Sequence, residues 1–172
     1  PYYFDANGRY EKKETLHKLL DHIEKIGALD QVIIVEEPFP ENYEVDVSEF
    51  GVRIAADESA HTDEDTEKRI QMGYRAIAVK AIAKTLSMTL KIIKVAHKHN
   101  VPCFCADLTV NPILVDWNKN VAARLAPFPE LGMSMVETNG HQYYANWEKM
   151  LTYHPCAGAE WTITKNGLFY LN

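Results

Sequence analysis

The feature that most constrains the fold of this chain is a series of six short apolar runs. Stretches of helical character separate most of them. The runs are Tyr2–Phe4, Val32–Val35, Val52–Ala56, Ala76–Val79, Val101–Ala106 and Met133–Val136. Nearly continuous apolar runs suit parallel strands that are covered on both faces. The stretches 11–26, 66–72, 87–100 and 112–125 predict helices between them. A repeated βα series of this kind predicts a parallel α/β sheet.

Two architectures fit this series: an open doubly wound sheet, and part of a (β/α)₈ barrel to which the chain supplies about six of the eight strands. No Gly-rich phosphate loop follows the first run, where an open nucleotide-binding sheet would usually place it. No linker interrupts residues 1–172, so we expect one domain. At the end of the chain, Trp161–Thr164 and Lys165–Tyr170 predict a hairpin around Asn166-Gly167.

Composition excludes several classes of protein. The net charge of −6 argues against a nucleic-acid surface, which needs clustered Lys and Arg. No apolar run approaches the roughly 20 residues that span a bilayer, so we expect a cytoplasmic protein without membrane contact. The three cysteines, Cys103, Cys105 and Cys156, suggest neither a disulfide framework nor a zinc site, and we expect reduced, buried thiols.

Every apolar run is followed by a titratable residue: Asp5, Glu36, Asp57, Lys80, Asp107 and Glu137 in chain order. In parallel α/β folds, the carboxyl ends of the strands form the active-site rim. Three successive runs end on carboxylates, which repel one another unless a cation lies between them. Ligation by oxygen alone favours a hard ion such as Mg²⁺. The alternative is three unrelated surface acids.

Lys80 follows a buried run, and next to a divalent cation its neutral amine would be favoured as a general base. The alternative is a lysine that is ion-paired or extends its ammonium to solvent. Lys84 lies in the following loop, where we expect a surface charge.

Four motifs occur in order, each at the end of a predicted strand: Phe4-Asp5-Ala6-Asn7-Gly8, Val35-Glu36-Glu37-Pro38, Ala56-Asp57-Glu58-Ser59 and Val79-Lys80. Together they resemble the barrel domain of the enolase superfamily, in the mandelate racemase and muconate-lactonising family, on the dipeptide-epimerase side. The similarity covers nearly the whole chain, from the third barrel strand through the eighth, so that residues 1–172 would be the C-terminal portion of the barrel domain.

The resemblance implies that Asp5, Glu36 and Asp57 are magnesium ligands and that Lys80 is the base on the sixth strand. Such enzymes abstract the α-proton of a carboxylate substrate and stabilise the resulting enediolate with the metal. The resemblance favours a racemase or epimerase, with an acid-sugar dehydratase or cycloisomerase as the alternative. An alternative of another class is a non-catalytic, metal-binding doubly wound module.

The resemblance also suggests roles for residues beside the ligands. Glu137 resembles the acidic residue that mandelate-racemase-like members use to hydrogen-bond the substrate carboxylate. Asn7, Glu58 and Asp107 are candidates for support or substrate contact, although for Asp107 we favour capping of the next turn. Strand alternation is expected to turn Glu37 and Glu58 away from the metal.

The sequence departs from the family pattern in three ways. The capping domain and the first two barrel strands, with their Lys-x-Lys pair, are absent. The eighth-strand region reads Val136-Glu137-Thr138-Asn139 instead of the Asp-x-Asp of dipeptide epimerases. The seventh run ends without the histidine that members with a His–Asp dyad need. His141 lies in the loop beyond Glu137, where we expect a surface residue. We therefore expect a portion of a longer or cleaved polypeptide that is completed by the missing cap and strands, and that forms a homo-oligomer.

Overall fold

Five parallel strands form the sheet, and the computed structural model describes residues 1–170. The strands are β1 (Tyr2–Asp5), β2 (Val32–Glu36), β3 (Ile54–Ala56), β4 (Ala76–Val79) and β5 (Cys103–Cys105). Their order in the sheet is their order in the chain. A doubly wound sheet reverses its strand order at a switch point, whereas a barrel adds each strand beside the previous one. The order therefore identifies a partial (β/α) barrel and confirms the predicted fold class.

Helices follow the strands as the sequence predicts. They are α1 (Lys13–Lys25), α2 (Asp63–Gln71), α3 (Leu86–Lys98) and α4 (Pro112–Ala122), followed by two short helices, α5 (Gly140–Tyr143) and α6 (Trp147–Thr152). The start of α2 is fixed by a capping box, in which Thr62 accepts from the Asp65 N–H while the Asp65 carboxylate accepts from the Thr62 N–H. Asn111 caps α4, whose first residue is Pro112.

Two predicted elements differ in the structure. The sixth predicted strand, at 133–136, is reduced to two isolated bridges, in which Val136 lies parallel to Cys105 and Met133 antiparallel to Phe128. The predicted hairpin keeps its tight turn, because Asn166 and Gly167 both have positive φ, but only Lys165 and Leu168 pair across it. The residues before it form a 3-10 helix, Glu160–Thr162, instead of a strand.

The described chain separates into two compact units. The first comprises residues 1–79 and 87–103 and contains β1 to β4. Its core includes Leu16, Leu20 and Ile23, which lie along one face of α1, and Phe39, whose ring lies 6.1 Å from that of Phe50.

The second unit comprises residues 80–86 and the chain from 104 onward. The ring of Phe104 packs edge-on against that of Phe128, with 6.4 Å between their centroids. A cavity of about 780 Å³ lies between α4, α5, α6 and the segment that follows them. Its wall includes a buried ionic cluster of Asp116, Lys119 and His154.

The cysteines are free, but they are not all buried as predicted. Cys103 and Cys105 are buried, whereas Cys156 is exposed in the segment after α6. The prediction failed for Cys156 because burial depends on contacts between segments distant in sequence, which its local sequence does not reveal. No helix within residues 1–170 combines the length and the apolar character needed to cross a bilayer.

Candidate metal centre and neighbouring site residues

The three predicted ligands lie at or just after the ends of adjacent strands of the first unit. Asp5 pairs directly with Glu36, and Glu36 pairs with Ala55 of β3. Residues paired across a parallel sheet point to the same side, and so do residues two apart along a strand. Asp57 lies two residues beyond Ala55 and directly after β3, so alternation predicts the same face for all three carboxylates at the carboxyl ends of β1, β2 and β3.

The three side chains do not form a ready-made ion cluster. Within residues 1–170, no group of three or more His, Cys, Asp or Glu side chains is arranged so that it could hold a metal ion. Three ionised carboxylates repel one another when no cation lies between them. The donor chemistry and the common face fit a hard divalent cation, while the side-chain positions are those of separate hydrogen-bonded groups.

Asp5 is exposed and is held by Asn7. The Asn7 backbone N–H donates to Oδ1 of Asp5 at 2.9 Å, and the Asn7 side-chain amide donates to Oδ2 at 2.6 Å. Asn7 can close this turn because it adopts φ 49°, a left-handed conformation that asparagine tolerates. The sequence-predicted contact of Asn7 is therefore with the Asp5 carboxylate.

Glu36 is buried, with 2% of its surface exposed, and it accepts a hydrogen bond from the Tyr3 hydroxyl. Sequence reasoning missed Tyr3. A signal was available, because Tyr3 precedes Asp5 by two residues and so shares its face of β1. The Tyr3 hydroxyl therefore restrains the Glu36 carboxylate through this hydrogen bond.

Asp57 is likewise 2% exposed, and its segment is held by Glu37. Oε2 of Glu37 accepts from the backbone N–H of Asp57 at 2.7 Å, from the N–H of Ser59 at 3.2 Å and from the Ser59 hydroxyl at 2.9 Å. Burial raises the pKa of Glu37, and these hydrogen bonds oppose the rise. Sequence reasoning also missed Ser59, although it lies within the quoted Ala56-Asp57-Glu58-Ser59 motif.

Strand alternation does not set the direction of the Glu37 side chain, which was predicted to turn away from the metal. Glu37 lies just past the last residue of β2 and has φ 33°, so the extended geometry on which alternation depends has ended. A left-handed conformation at a residue other than glycine costs on the order of 1–3 kcal/mol. Glu58, the other residue expected to turn away, is half-buried and lines a cavity of about 200 Å³ with Glu37.

In the second unit, Lys80 directly follows β4 and is 9% exposed. Its carbonyl accepts from the N–H groups of Ala83 and Lys84, at 3.0 and 2.8 Å, so the chain turns immediately after it. Lys84 is half-buried, although a surface position was predicted. The buried position of Lys80 contrasts with that of an ordinary surface lysine.

Hydrogen bonds join the segment that contains Asp107 to the segment that contains Glu137 in the second unit. Oε2 of Glu137 accepts from the Asp107 N–H at 3.1 Å. Oδ1 of Asp107 accepts from the N–H groups of Leu108, at 2.6 Å, and Val110, and its Oδ2 accepts from the N–H of Asn139 at 2.6 Å. The Asp107 carboxylate therefore caps the turn that follows it.

His141 is exposed, as expected. It lies in α5, a helix that the sequence did not predict, and its ring packs edge-on against that of Trp147 at 6.3 Å.

The fold and the strand-end residues define a class: a partial parallel (β/α) barrel with acidic residues at the carboxyl ends of successive strands. The family model "Enolase C-terminal domain-like" matches residues 1–157. The chain belongs to this family. No curated protein sequence matches the chain.

Three solved structures illustrate the similarity of fold. A mandelate racemase/muconate lactonizing protein from Herpetosiphon aurantiacus superposes with a TM-score of 0.71 at 19% identity, over 84% of this chain and 40% of its own. A dipeptide epimerase from Cytophaga hutchinsonii, complexed with Mg and the dipeptide D-Ala-L-Val, gives 0.66 at 19% identity, over 82% and 37%. A 2-chloromuconate cycloisomerase from Rhodococcus opacus gives 0.58 at 24% identity, over 67% and 32%. The chain thus spans about two fifths or less of these structures.

Proposed function

We propose that this chain carries the cation-binding and proton-abstracting part of a magnesium-dependent enzyme that removes the α-proton of a carboxylate substrate, in a racemisation or epimerisation. The observation that supports the proposal is the register that gives Asp5, Glu36 and Asp57 one face at the carboxyl ends of three adjacent strands. Membership of the enolase C-terminal family supports the same type of chemistry.

Asp5, Glu36 and Asp57 would hold the cation. The hydrogen bonds from Asn7 occupy one site on each Asp5 oxygen, and because an ionised carboxylate has about four lone-pair sites, Asp5 keeps capacity for a ligand bond. A bound Mg²⁺ would act as a Lewis acid on the substrate carboxylate, which makes the neighbouring C–H more acidic. The Tyr3 hydroxyl and the Asn7 amide hold Glu36 and Asp5 on the shared face before the cation arrives.

Lys80 would take the α-proton at its Nζ. Lys80 directly follows β4, at the carboxyl end of a strand whose residues are all buried. Lys80 is 9% exposed, and in its neutral form the amine would accept the proton. Glu137 would hydrogen-bond the substrate carboxylate, with Glu58 and Asp107 as further supporting or contact residues.

The substrate would be a small carboxylate, and the dipeptide in the Cytophaga structure makes dipeptides one group to test. The remaining barrel strands and a capping domain, in the same polypeptide or in a separate fragment, would complete the substrate site. In the described residues, β1 pairs only with β2 and Tyr2 is 48% exposed, so this edge is open to a further strand. We also propose a homo-oligomeric assembly.

Proton exchange in D₂O tests the reaction. The intact protein with Mg²⁺ is incubated with a panel of dipeptides, N-acylamino acids and 2-hydroxy acids, and the loss of the α-proton signal is followed by NMR. We expect Lys80→Ala to abolish exchange while substrate binding stays measurable. Lys91→Ala, which removes an exposed lysine of α3, is the matched control and should exchange like the wild type.

The products separate the alternatives. Inversion at the α-carbon supports a racemase or epimerase, whereas loss of water or ring closure identifies a dehydratase or cycloisomerase. Exchange at an unchanged rate in Lys80→Ala would remove Lys80 from the mechanism. Mg²⁺ binding without exchange of any panel member would favour the non-catalytic module.

A further inference from the structure

The Glu37 side chain links the segment after β2 to the segment after β3. We propose that Glu37 is a positioning residue that fixes Asp57 for the divalent cation, an inference that rests on the proposed magnesium site. Glu37 itself would not ligate the ion and would act through the backbone of Asp57 and Ser59.

A single oxygen carries this link. Oε2 of Glu37 accepts three hydrogen bonds, from the N–H groups of Asp57 and Ser59 and from the Ser59 hydroxyl, at 2.7, 3.2 and 2.9 Å. The turn is closed by the Ala60 N–H, which donates to the Asp57 carbonyl at 3.0 Å. Because the Asp57 N–H is held directly, the position from which the Asp57 carboxylate projects is held as well.

The Glu37 backbone makes a separate link to the neighbouring strands. Its N–H donates to the Ala55 carbonyl at 2.9 Å, and its carbonyl accepts from the Gly8 N–H at 2.6 Å. The loop that follows Asp5 is thus tied to the Glu37 backbone, whereas the Asp57 segment is tied to the Glu37 side chain. Substitution of the side chain should therefore disturb Asp57 and spare Asp5.

The burial and the backbone conformation of Glu37 are both energetically unfavourable, which argues for a role beyond packing. Glu37 is 1% exposed, and its second oxygen, Oε1, has no hydrogen-bond partner among the described residues. Burial of a polar oxygen without a partner is unfavourable, and the residue also adopts a left-handed backbone that glycine would adopt without strain. Strained and incompletely satisfied residues persist mainly where the surrounding structure needs their geometry.

Mn²⁺ affinity, followed by electron paramagnetic resonance, tests the inference without any substrate. Residues that orient metal ligands typically change affinity by about 10–100-fold when they are removed. We expect that loss for Glu37→Ala and for Glu37→Asp, which keeps the charge but is one methylene too short. Glu37→Gln keeps an acceptor oxygen at full length and should stay within about 3-fold of wild type, a rescue that general loss of charge would not allow. Glu64→Ala, an exposed acid of the same unit, is the control for charge.

A double-mutant cycle separates positioning from general destabilisation. In an Asp57→Asn background, Glu37→Ala should change Mn²⁺ affinity by less than about 2-fold, while in an Asp5→Asn background it should keep its full effect. If Glu37→Ala lowers Mn²⁺ affinity equally in both backgrounds, the positioning role of Glu37 is overturned. The same holds if Glu37→Ala and Glu37→Asp both bind Mn²⁺ like wild type. Either result would leave the proposed metal site standing. Wild-type protein that binds Mn²⁺ no better than Asp57→Asn would overturn the metal site and the inference with it. If Glu37→Ala does not fold, Glu37→Asp takes its place in the cycle.

Discussion

His154 lies with its Nε2 3.2 Å from Oδ2 of Asp116, a buried contact between the segment after α6 and the helix α4. The Nδ1 atom of His154 accepts from the Cys156 N–H at 3.0 Å, so Nε2 is the nitrogen that carries the proton in the neutral ring. Oδ1 of Asp116 lies 2.9 Å from Nζ of Lys119, which also donates to the Thr162 carbonyl. One carboxylate therefore ties α4 to the chain that follows α6.

Asp116→Asn should destabilise the protein strongly. The change keeps the shape of the side chain but leaves the buried Lys119 ammonium without its anionic partner, and breaking a buried pair in this way costs about 3–5 kcal/mol. Urea denaturation would measure the free energy of unfolding. Glu148→Gln, at an exposed position of α6, should stay within about 0.5 kcal/mol of wild type. Equal stabilities for the two variants would contradict the role assigned to Asp116.

Gly140→Ala should destabilise the start of α5. An added Cβ would lie 2.2 Å from the Val110 carbonyl oxygen and 3.0 Å from the Trp147 ring, so the backbone must move. Overpacking of this kind costs about 1–3 kcal/mol, which thermal unfolding would detect as a lower Tm. Gly51→Ala is the control, since nothing lies within 4 Å of its added Cβ. A Tm for Gly140→Ala at or above that of the control would show that this close approach is not obligatory.

Thr62→Ala should lose about 1 kcal/mol of stability, because α2 would lose the side-chain acceptor of its capping box. Thr62→Ser retains the hydroxyl and should recover most of that loss. Chemical denaturation of the two variants beside wild type makes the comparison. Identical losses for both would assign the effect to the methyl group instead of the cap.

Only Cys156 should react with a thiol reagent in the native protein. Burial raises the pKa of Cys103 to about 12, and burial together with the charges of Asp107 and Glu137 does the same for Cys105. Because the thiolate is the reactive form, both thiols should remain unreactive at pH 8. A disulfide reagent such as DTNB should label one thiol per native chain and all three of the chain's cysteines after denaturation. Native Cys156→Ser should show almost no labelling, and rapid labelling of that variant would refute the prediction.

The raised thiol pKa values also determine the direction in which the free energy of unfolding changes with pH. In the folded state the neutral thiol is favoured, so the stability that Cys103 and Cys105 contribute is complete below their unfolded pKa of 9.0 and is lost as pH rises towards about 12. The unfolding free energy of the wild type should therefore fall over this range more steeply than that of Cys103→Ala.

The sequence by itself determined the order of β1 to β5 and of α1 to α4, and the acidic residues at the strand ends. This was possible because apolar runs, helix periodicity and caps are local, and because the carboxyl ends of parallel strands lie at the same edge of a sheet. Asp5, Glu36 and Asp57 were predicted as ligands in this way, and the register pairs Asp5 with Glu36 and Glu36 with Ala55, two residues before Asp57.

Only the tertiary structure decided how those residues are held. The Glu37 carboxylate bonds to backbone groups 20 and 22 positions further along the chain, and the left-handed turn that directs it there has no local sequence marker such as glycine. The pairing of Asp116 with His154, the exposure of Cys156 and the reduction of the sixth strand to two isolated bridges have the same origin. Each depends on contacts between segments distant in sequence, and local periodicity carries no information about such contacts.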